Sequence, residues 1–91
     1  MASQPPRITW TNEARSIFEK LPYAARNEIV QKIEILRLHP RMYQVEQGGR
    51  WAGLRRFLVR QWKVFYDYWD SEHTIYTETI AHARANDPSL E

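Results

Sequence analysis

Four basic residues fall close together on the chain: Arg55, Arg56, Arg60 and Lys63. The planar guanidinium of arginine binds a phosphate through two hydrogen bonds, whereas a lysine ammonium acts more as a point charge. No acidic residue lies among the four, although a stripe of solvated surface charges usually mixes both signs. The alternative interpretation is that these charges protect a sheet edge from pairing. The one-sided charge favours a site for a phosphate ligand.

His82 and Arg84 stand two positions apart, close to the end of the chain. On an extended strand, side chains with this spacing point to the same side. Histidine exchanges a proton near neutral pH, which suits it to general acid–base catalysis, and a neighbouring arginine could bind phosphate. A surface histidine at the end of a strand is the alternative interpretation.

The charges are segregated along the chain. From Arg37 to Lys63 there are 7 basic residues and 1 acidic one, whereas residues 64–91 hold 6 acidic residues and 1 basic one. The overall charge of +2 therefore hides a strongly basic middle, which indicates an anionic partner. The one acid of that middle, Glu46, is either a general base or a counter-charge to Arg41 or Arg50.

Aromatic residues are interleaved with these cations from Trp51 to Trp69. A surface of this composition could stack on bases and neutralise phosphates at the same time. Packing in the core is the alternative for each ring, above all for Phe65 and Tyr66, because aromatic side chains contribute much of the burial in a small domain.

Two helices are predicted to follow a short strand at Arg7–Trp10. Thr11 is a good N-cap, and apolar residues then recur with helical spacing up to Leu21. Pro22 ends this helix and suits the first turn of the next, which we expect to run from Tyr23 to Leu38.

Three strands are predicted after a loop at residues 41–52. They are Leu54–Val59, Trp62–Trp69 and Thr74–Ile80, with Arg60 and Gln61 as a tight turn. Short links pair consecutive strands antiparallel. The sequence therefore predicts an α+β fold with an N-terminal strand, a two-helix hairpin and a three-stranded antiparallel meander that forms a curved sheet. If Phe57 and Val59 face the helices, Arg56 lies on the uncovered face.

Length and composition predict a single domain at residues 7–91 behind a flexible tail at residues 1–6. There is no cysteine, which excludes a thiol nucleophile and a cysteine-based zinc site, and the three histidines lack the spacing of metal ligands. We therefore expect no metal and no cofactor. No signal sequence or run of about 18 apolar residues is visible, so we expect a cytoplasmic protein that does not bind a membrane.

The ordered set of segments resembles the RelE/ParE toxin superfamily of bacterial type II toxin–antitoxin systems. Residues 53–66 read Gly-Leu-Arg-Arg-Phe-Leu-Val-Arg-Gln-Trp-Lys-Val-Phe-Tyr and are similar to the family's Gly-Leu-x-Arg-Leu-Arg-Val-Gly-x-Tyr-Arg-Val-Ile-Tyr. The ending His82-Ala-Arg84 is similar to the closing His-x-Arg of the family. The resemblance spans residues 7–84 and also rests on Ile8-Thr9-Trp10, Glu13-Ala14, Leu21-Pro22, Arg26 with Ile29 and Ile33, and Leu36 with Pro40.

The resemblance implies a toxin whose cognate antitoxin wraps it with an acidic segment. Two activities share the family's fold: metal-independent cleavage of mRNA on the ribosome, and non-enzymatic poisoning of DNA gyrase in the ParE branch. Gyrase-directed members tend to have longer helices, so the short predicted hairpin favours the endoribonuclease, with the ribosome and mRNA as partners and gyrase as the alternative. An RNA-binding module without activity is a third interpretation.

The resemblance also implies roles for individual residues. In the ribonuclease branch the 2′-hydroxyl attacks in line while basic residues hold the scissile phosphate. The catalytic residues implied here are Arg56, Lys63, His82 and Arg84. The basic cluster itself suggests Arg55 and Arg60 as RNA-binding residues, and Glu46 is a possible general base. We expect His82 to lie within reach of Arg56, Lys63 and Arg84.

Three departures from the family pattern bear most on the turn and on the implied site. Leu58 stands where a second arginine is common, and Arg60 replaces the glycine of the turn. The residues after Arg84 include no counterpart of the C-terminal tyrosine found in several ribonuclease members.

Overall fold

The computed structural model describes residues 4–84. Its elements are, in chain order, β1 (Arg7–Trp10), α1 (Asn12–Glu19), α2 (Tyr23–Leu36), β2 (Arg55–Val59), β3 (Trp62–Trp69), a short 3-10 turn (Asp70–Glu72) and β4 (Thr74–His82). The strands form one sheet in the order β1-β4-β3-β2. Strand β1 is parallel to β4, and the other two pairs are antiparallel. The predicted α+β class, with its two helices and its meander, is confirmed.

Local signals set the ends of both helices. The Oγ1 of Thr11 accepts a hydrogen bond from the backbone N–H of Ala14 at 3.0 Å, which satisfies one of the free donors at the start of α1. Pro22 stands directly before α2. Helix α2 ends at Leu36, two residues before the predicted Leu38. Hydrogen bonds to the third residue back then replace the α-helical ones at Leu38 and His39. Pro40 disfavours helical geometry at the residue before it.

The core lies between the two helices and one face of the sheet. Its buried residues are Leu21, Ala25, Ile29, Ile33, Leu36, Phe57, Val59, Val64, Tyr66, Ile75 and Ile80. Phe57 and Val59 therefore face the helices, and strand alternation directs Arg56 to the opposite face, as predicted.

A β-bulge interrupts the pairing of β3 with β4. Phe65 pairs with Thr79, but its neighbour Tyr66 pairs with Thr77, so that Glu78 is the extra residue. The bulge changes which face every later residue of β4 occupies.

Arg60 lies in the two-residue turn between β2 and β3 with a φ of 56°. This left-handed backbone geometry is the one that glycine adopts without a steric penalty. Arg60 therefore adopts, at a steric cost, a backbone conformation that the glycine of the family pattern would adopt freely.

The predicted boundary between tail and domain stays a prediction, because residues 1–3 and 85–91 lie outside the described residues. Among residues 4–6, Pro6 is buried and its carbonyl accepts a hydrogen bond from the Nε of Arg37 at 3.0 Å. No helix within residues 4–84 is long and apolar enough to cross a membrane.

Tyr66 is fully buried, and its hydroxyl donates a hydrogen bond to the carbonyl of Pro40 at 3.0 Å. This contact ties the loop after α2 to the centre of the sheet. Burial raises the pKa of Tyr66 from its ordinary value of 10.0 to about 12. The unfolded chain therefore gives up this proton at a lower pH than the folded chain does.

We expect Tyr66→Phe to lower the free energy of unfolding by about 1–2 kcal/mol at neutral pH, because the Pro40 carbonyl loses its donor. The stability linked to the Tyr66 proton is complete below pH 10 and is lost as the pH rises toward 12, so the variant should lose less stability in that window. Urea unfolding over a pH series measures both effects. Tyr23→Phe is the matched control, since Tyr23 is 74% exposed. Equal effects of the two substitutions would contradict this account.

Candidate nucleic-acid interface

The sheet has one face that the helices do not cover, which we call the open face. Strand alternation assigns to it Arg56, Leu58, Lys63, Phe65, Asp67, Trp69, Tyr76, Thr79 and Ala81. Its β2 and β3 residues include two of the four predicted catalytic residues, Arg56 and Lys63. Phe65 lies between them, because it follows Lys63 by two positions on β3 and pairs with Arg56 on β2.

Trp51 lies over the open face. Its ring stacks on that of Phe65, with ring centroids 4.5 Å apart and planes inclined by 19°. The ammonium of Lys63 and the guanidinium carbon of Arg50 each lie 5.7 Å from the centroid of the Trp51 ring. Four residues thus form one aromatic and basic surface, which we call the Trp51 patch: Arg50, Trp51, Arg56 and Lys63.

Glu46 lies beside this patch. Its backbone N–H donates to the carbonyl of Leu54 at 2.8 Å, and its carbonyl accepts from Gly53 at 2.9 Å, which adds a short paired segment to the edge of β2. Its Oε2 lies 3.9 Å from the Nε of Arg56. The predicted counter-charge partners of Glu46 were Arg41 and Arg50, but Arg41 pairs with Asp70 at 2.8 Å instead.

The Arg56–Glu46 pair leaves both charges accessible. The two side chains are 40% and 27% exposed, and a distance of 3.9 Å is long for an ion pair. Partly exposed pairs of this kind contribute little to stability, about 0–1 kcal/mol. A ligand phosphate could therefore replace Glu46 at the Arg56 guanidinium at low cost.

His82 lies on the other side of the sheet, so the expectation that it is within reach of Arg56 and Lys63 is wrong. Lys63 pairs with Ala81, and His82 pairs with Trp62, whose ring it contacts edge-on at a centroid distance of 5.3 Å. The cause is the bulge at Glu78. With unbroken pairing, the register at Trp69 would put His82 on the same face as Lys63, whereas one extra residue in β4 reverses the faces.

Arg84 lies in the turn that follows β4, where it is exposed. Its backbone N–H donates a hydrogen bond to the Nδ1 of His82 at 3.0 Å. The prediction that the side chains of His82 and Arg84 point to the same side assumed an extended chain. The chain turns after β4, so that assumption does not hold. The catalytic roles of His82 and Arg84 stay predictions.

The two residues predicted to bind RNA are engaged elsewhere. Arg55 points to the helix-covered side and donates through Nη1 to the carbonyls of Arg41 and Tyr43. The Nε of Arg60 lies 3.3 Å from a carboxylate oxygen of Glu28 on α2. Neither residue belongs to the Trp51 patch, and their RNA-binding roles stay predictions.

A groove of about 570 Å³ opens beside Trp51, between α1 and the end of β4. Its lining residues include Glu13, Glu78 and Thr79, together with Arg50 and Trp51. Burial raises the pKa of the Glu78 carboxyl, and the nearby carboxylates of Asp67 and Glu13 raise it further. The charged residues that line the groove are therefore two acids, Glu13 and Glu78, and one base, Arg50.

The sequence placed Trp51 at the start of the aromatic and basic segment at residues 51–69, but it did not predict that Trp51 lies over the open face. Arg50 was weighed only as a counter-charge. The available signal was a tryptophan with a basic neighbour directly after Gly48 and Gly49, because a large ring in a loop needs a surface to cover. Within residues 4–84, no group of three or more histidine, aspartate or glutamate side chains is placed to hold a metal ion.

Comparisons with known proteins agree with this architecture. A family model described as the ParE toxin of the type II toxin–antitoxin system parDE matches residues 8–86. A chain of the intact E. coli RelBE toxin–antitoxin complex is 13% identical and superimposes with a TM-score of 0.75, covering 88% of this chain and 99% of that one.

Two further complexes give similar values. For the RelBE2 toxin–antitoxin complex of Mycobacterium tuberculosis, the identity is 20%, the TM-score 0.74, and the coverage 87% of this chain and 99% of that one. For the archaeal RelE–RelB complex of Pyrococcus horikoshii OT3, the identity is 17% and the TM-score 0.71, and the match covers 90% of this chain and 100% of that one. No curated protein sequence matches this chain. At these identities, the structural likeness is one of fold.

Proposed function

This chain belongs to the ParE toxin family of type II toxin–antitoxin systems, and we propose that it arrests translation by cleaving mRNA on the ribosome. It is a toxin, and its fold is that of toxins solved together with their antitoxins. A cognate antitoxin is therefore its expected partner, and an acidic segment of that antitoxin would complement the basic middle of this chain.

The observation that carries the proposal is the Trp51 patch with Glu46 beside it. Cleavage by the 2′-hydroxyl forms a bond from O2′ to phosphorus and breaks the bond to the 5′-oxygen, which takes up a proton from water. Negative charge builds on the phosphoryl oxygens during this step. Arg56 can hold two of these oxygens, and Lys63 on the next strand supplies a second positive charge. Fixed cations aimed at this developing charge lower the barrier.

A proton must leave O2′ during the attack, and we propose Glu46 as the general base. Its carboxylate lies on the same face as the two cations and 3.9 Å from Arg56, whereas His82 lies on the other face. Binding of a phosphate at Arg56 would release Glu46 to accept the proton. Arg84, exposed after β4, remains a phosphate-binding candidate, and His82 is the alternative acid or base.

The alternative function is non-enzymatic poisoning of DNA gyrase. It remains an alternative because the matching family model is that of the ParE toxin. The helices weigh against it, because α1 has 8 residues and α2 has 14, whereas gyrase-directed members of the superfamily tend to have longer helices. The patch weighs against it as well, because an aromatic ring with cations over it suits a nucleic acid.

Induction of the toxin in a bacterial host should produce new mRNA 5′ ends inside translated reading frames, with no gyrase-dependent DNA breaks. Mapping of mRNA ends and of DNA breaks from the same culture measures both outcomes. Co-expression of the cognate antitoxin should abolish the new ends and restore growth. Growth arrest with DNA breaks and intact mRNA would contradict the ribonuclease and support the gyrase alternative.

A further inference from the structure

The surroundings of the Trp51 ring indicate a function beyond covering Phe65. Phe65 is fully buried, and its stack with Trp51 accounts for that burial. A cover of this kind needs no charge, yet the cationic groups of Arg50 and Lys63 lie over the Trp51 ring, each 5.7 Å from its centroid. An aromatic ring flanked by cations is the arrangement that single-stranded nucleic acids bind, because the ring stacks on a base while the cations neutralise the phosphates.

The groove beside Trp51 gives such a base a place to enter. Its volume of about 570 Å³ falls within the range of about 300–1,000 Å³ typical of small-molecule sites. Arg50 and Trp51 line it together with Glu13, Glu78 and Thr79. It shares Trp51 with the Trp51 patch, and the Lys63 ammonium lies 5.7 Å from the centroid of that ring.

The charges of the groove orient a nucleotide. A phosphate is repelled by the carboxylates of Glu13 and Glu78 and attracted by Lys63 and Arg56, so the base is the part that enters. Carboxylates accept hydrogen bonds, as those of Asp and Glu do from the amino group of cytosine. The two acidic lining residues therefore favour a base with an exocyclic amino group, which adenine, cytosine and guanine have and uracil lacks. A donor there would also offset the repulsion that Asp67 and Glu13 exert on the Glu78 carboxylate.

We propose that Trp51 and this groove form a subsite for one amino-bearing base of single-stranded RNA, adjacent to the phosphate at Arg56 and Lys63. The subsite deepens the proposed ribonuclease and rests on it for its biological substrate, although binding of a base can be measured without ribosomes.

The test compares three fluorescein-labelled octamers with the purified full chain: octaadenylate, octauridylate and an abasic ribose-phosphate octamer. Fluorescence anisotropy should give about tenfold tighter binding of octaadenylate than of the abasic octamer, the effect expected for one stacked base. The dependence of affinity on salt should be the same for both, because both present the same phosphates. Octauridylate should bind several-fold more weakly than octaadenylate.

Trp51→Leu should remove the preference for octaadenylate over the abasic octamer, and Trp51→Phe should retain most of it. Trp69→Leu is the matched control, because Trp69 is a second tryptophan of the open face, is 48% exposed and lies outside the groove. The octamer comparison on the unmodified chain stays decisive even if Trp51→Leu unfolds the protein. Equal binding of octaadenylate and the abasic octamer, or an unchanged preference in a folded Trp51→Leu, would overturn the subsite.

The two proposals fail separately. A chain that prefers octaadenylate but cleaves no mRNA on ribosomes would retain the subsite and lose the ribonuclease. A chain that cleaves mRNA but binds the abasic octamer equally well would retain the ribonuclease and lose the subsite.

Discussion

Replacement of Arg56 or Lys63 by alanine should slow mRNA cleavage on the ribosome by about 10²–10³-fold, the usual cost of removing one fixed donor aimed at developing charge. The two residues stand on neighbouring strands of the open face, where a phosphate can contact both. Single-turnover cleavage of a programmed ribosome measures the rate, and relief of growth arrest reports the same loss in cells. Arg56→Lys should recover only part of the activity, because lysine cannot form the two parallel hydrogen bonds of arginine.

Arg60→Ala provides the control for a change of charge alone. It removes one positive charge from the same hairpin, but Arg60 pairs with Glu28 on α2 and lies outside the Trp51 patch. Its cleavage rate should stay within a few-fold of the unmodified rate. Each variant should still bind the antitoxin, which establishes that it folds. Full toxicity of both Arg56→Ala and Lys63→Ala would show that the patch is not the active site.

Glu46→Gln should lower the cleavage rate by about 10²–10⁴-fold, the range over which a general base contributes. Glutamine keeps the shape of the side chain and does not disturb the backbone hydrogen bonds that Glu46 makes with Leu54 and Gly53. Affinity for the ribosome should not fall, because proton transfer stabilises only the transition state. Loss of a carboxylate next to Arg56 should, if anything, strengthen phosphate binding. The signature is thus a lower kcat with an unchanged or lower KM.

His82→Ala is the matched comparison, and it should leave the cleavage rate nearly unchanged. The ring lies against Trp62 on the helix-covered side of the sheet, away from Arg56 and Lys63. A loss of 10²-fold in His82→Ala together with an active Glu46→Gln would reverse the assignment. The resemblance to the family would then have identified the acid or base, and the end of β4 would have to rearrange on the ribosome.

The fold was largely predictable because local chemistry determines it. Thr11 and Pro22 mark helix ends through hydrogen bonds and ring geometry that depend on neighbours in the chain. The alternation of Arg56 with Phe57 assigns the faces of β2 once one side is known to be covered. Antiparallel pairing of β2, β3 and β4 follows from their short connections.

Contacts between distant segments were not predictable in the same way. The stacking of Trp51 on Phe65 joins a loop to a strand 14 positions later, and no periodicity encodes it. The parallel pairing of β1 with β4 likewise joins segments from opposite ends of the domain. The face on which His82 lies depends on one extra residue, Glu78, which forms a bulge. The bulge has no sequence signal, and it moves each later residue of β4 to the opposite face of the sheet.

Cleavage of mRNA by the purified toxin on purified bacterial ribosomes tests the central claim most directly. The ribosomes carry an initiator tRNA and an end-labelled mRNA with an empty decoding site, and no other enzyme is present. We expect the unmodified chain to cut the mRNA within the exposed codon, to leave the same mRNA intact without ribosomes, and to lose this activity in Arg56→Ala and Glu46→Gln. An uncut mRNA under these conditions, from a preparation that arrests growth in cells, would contradict the account.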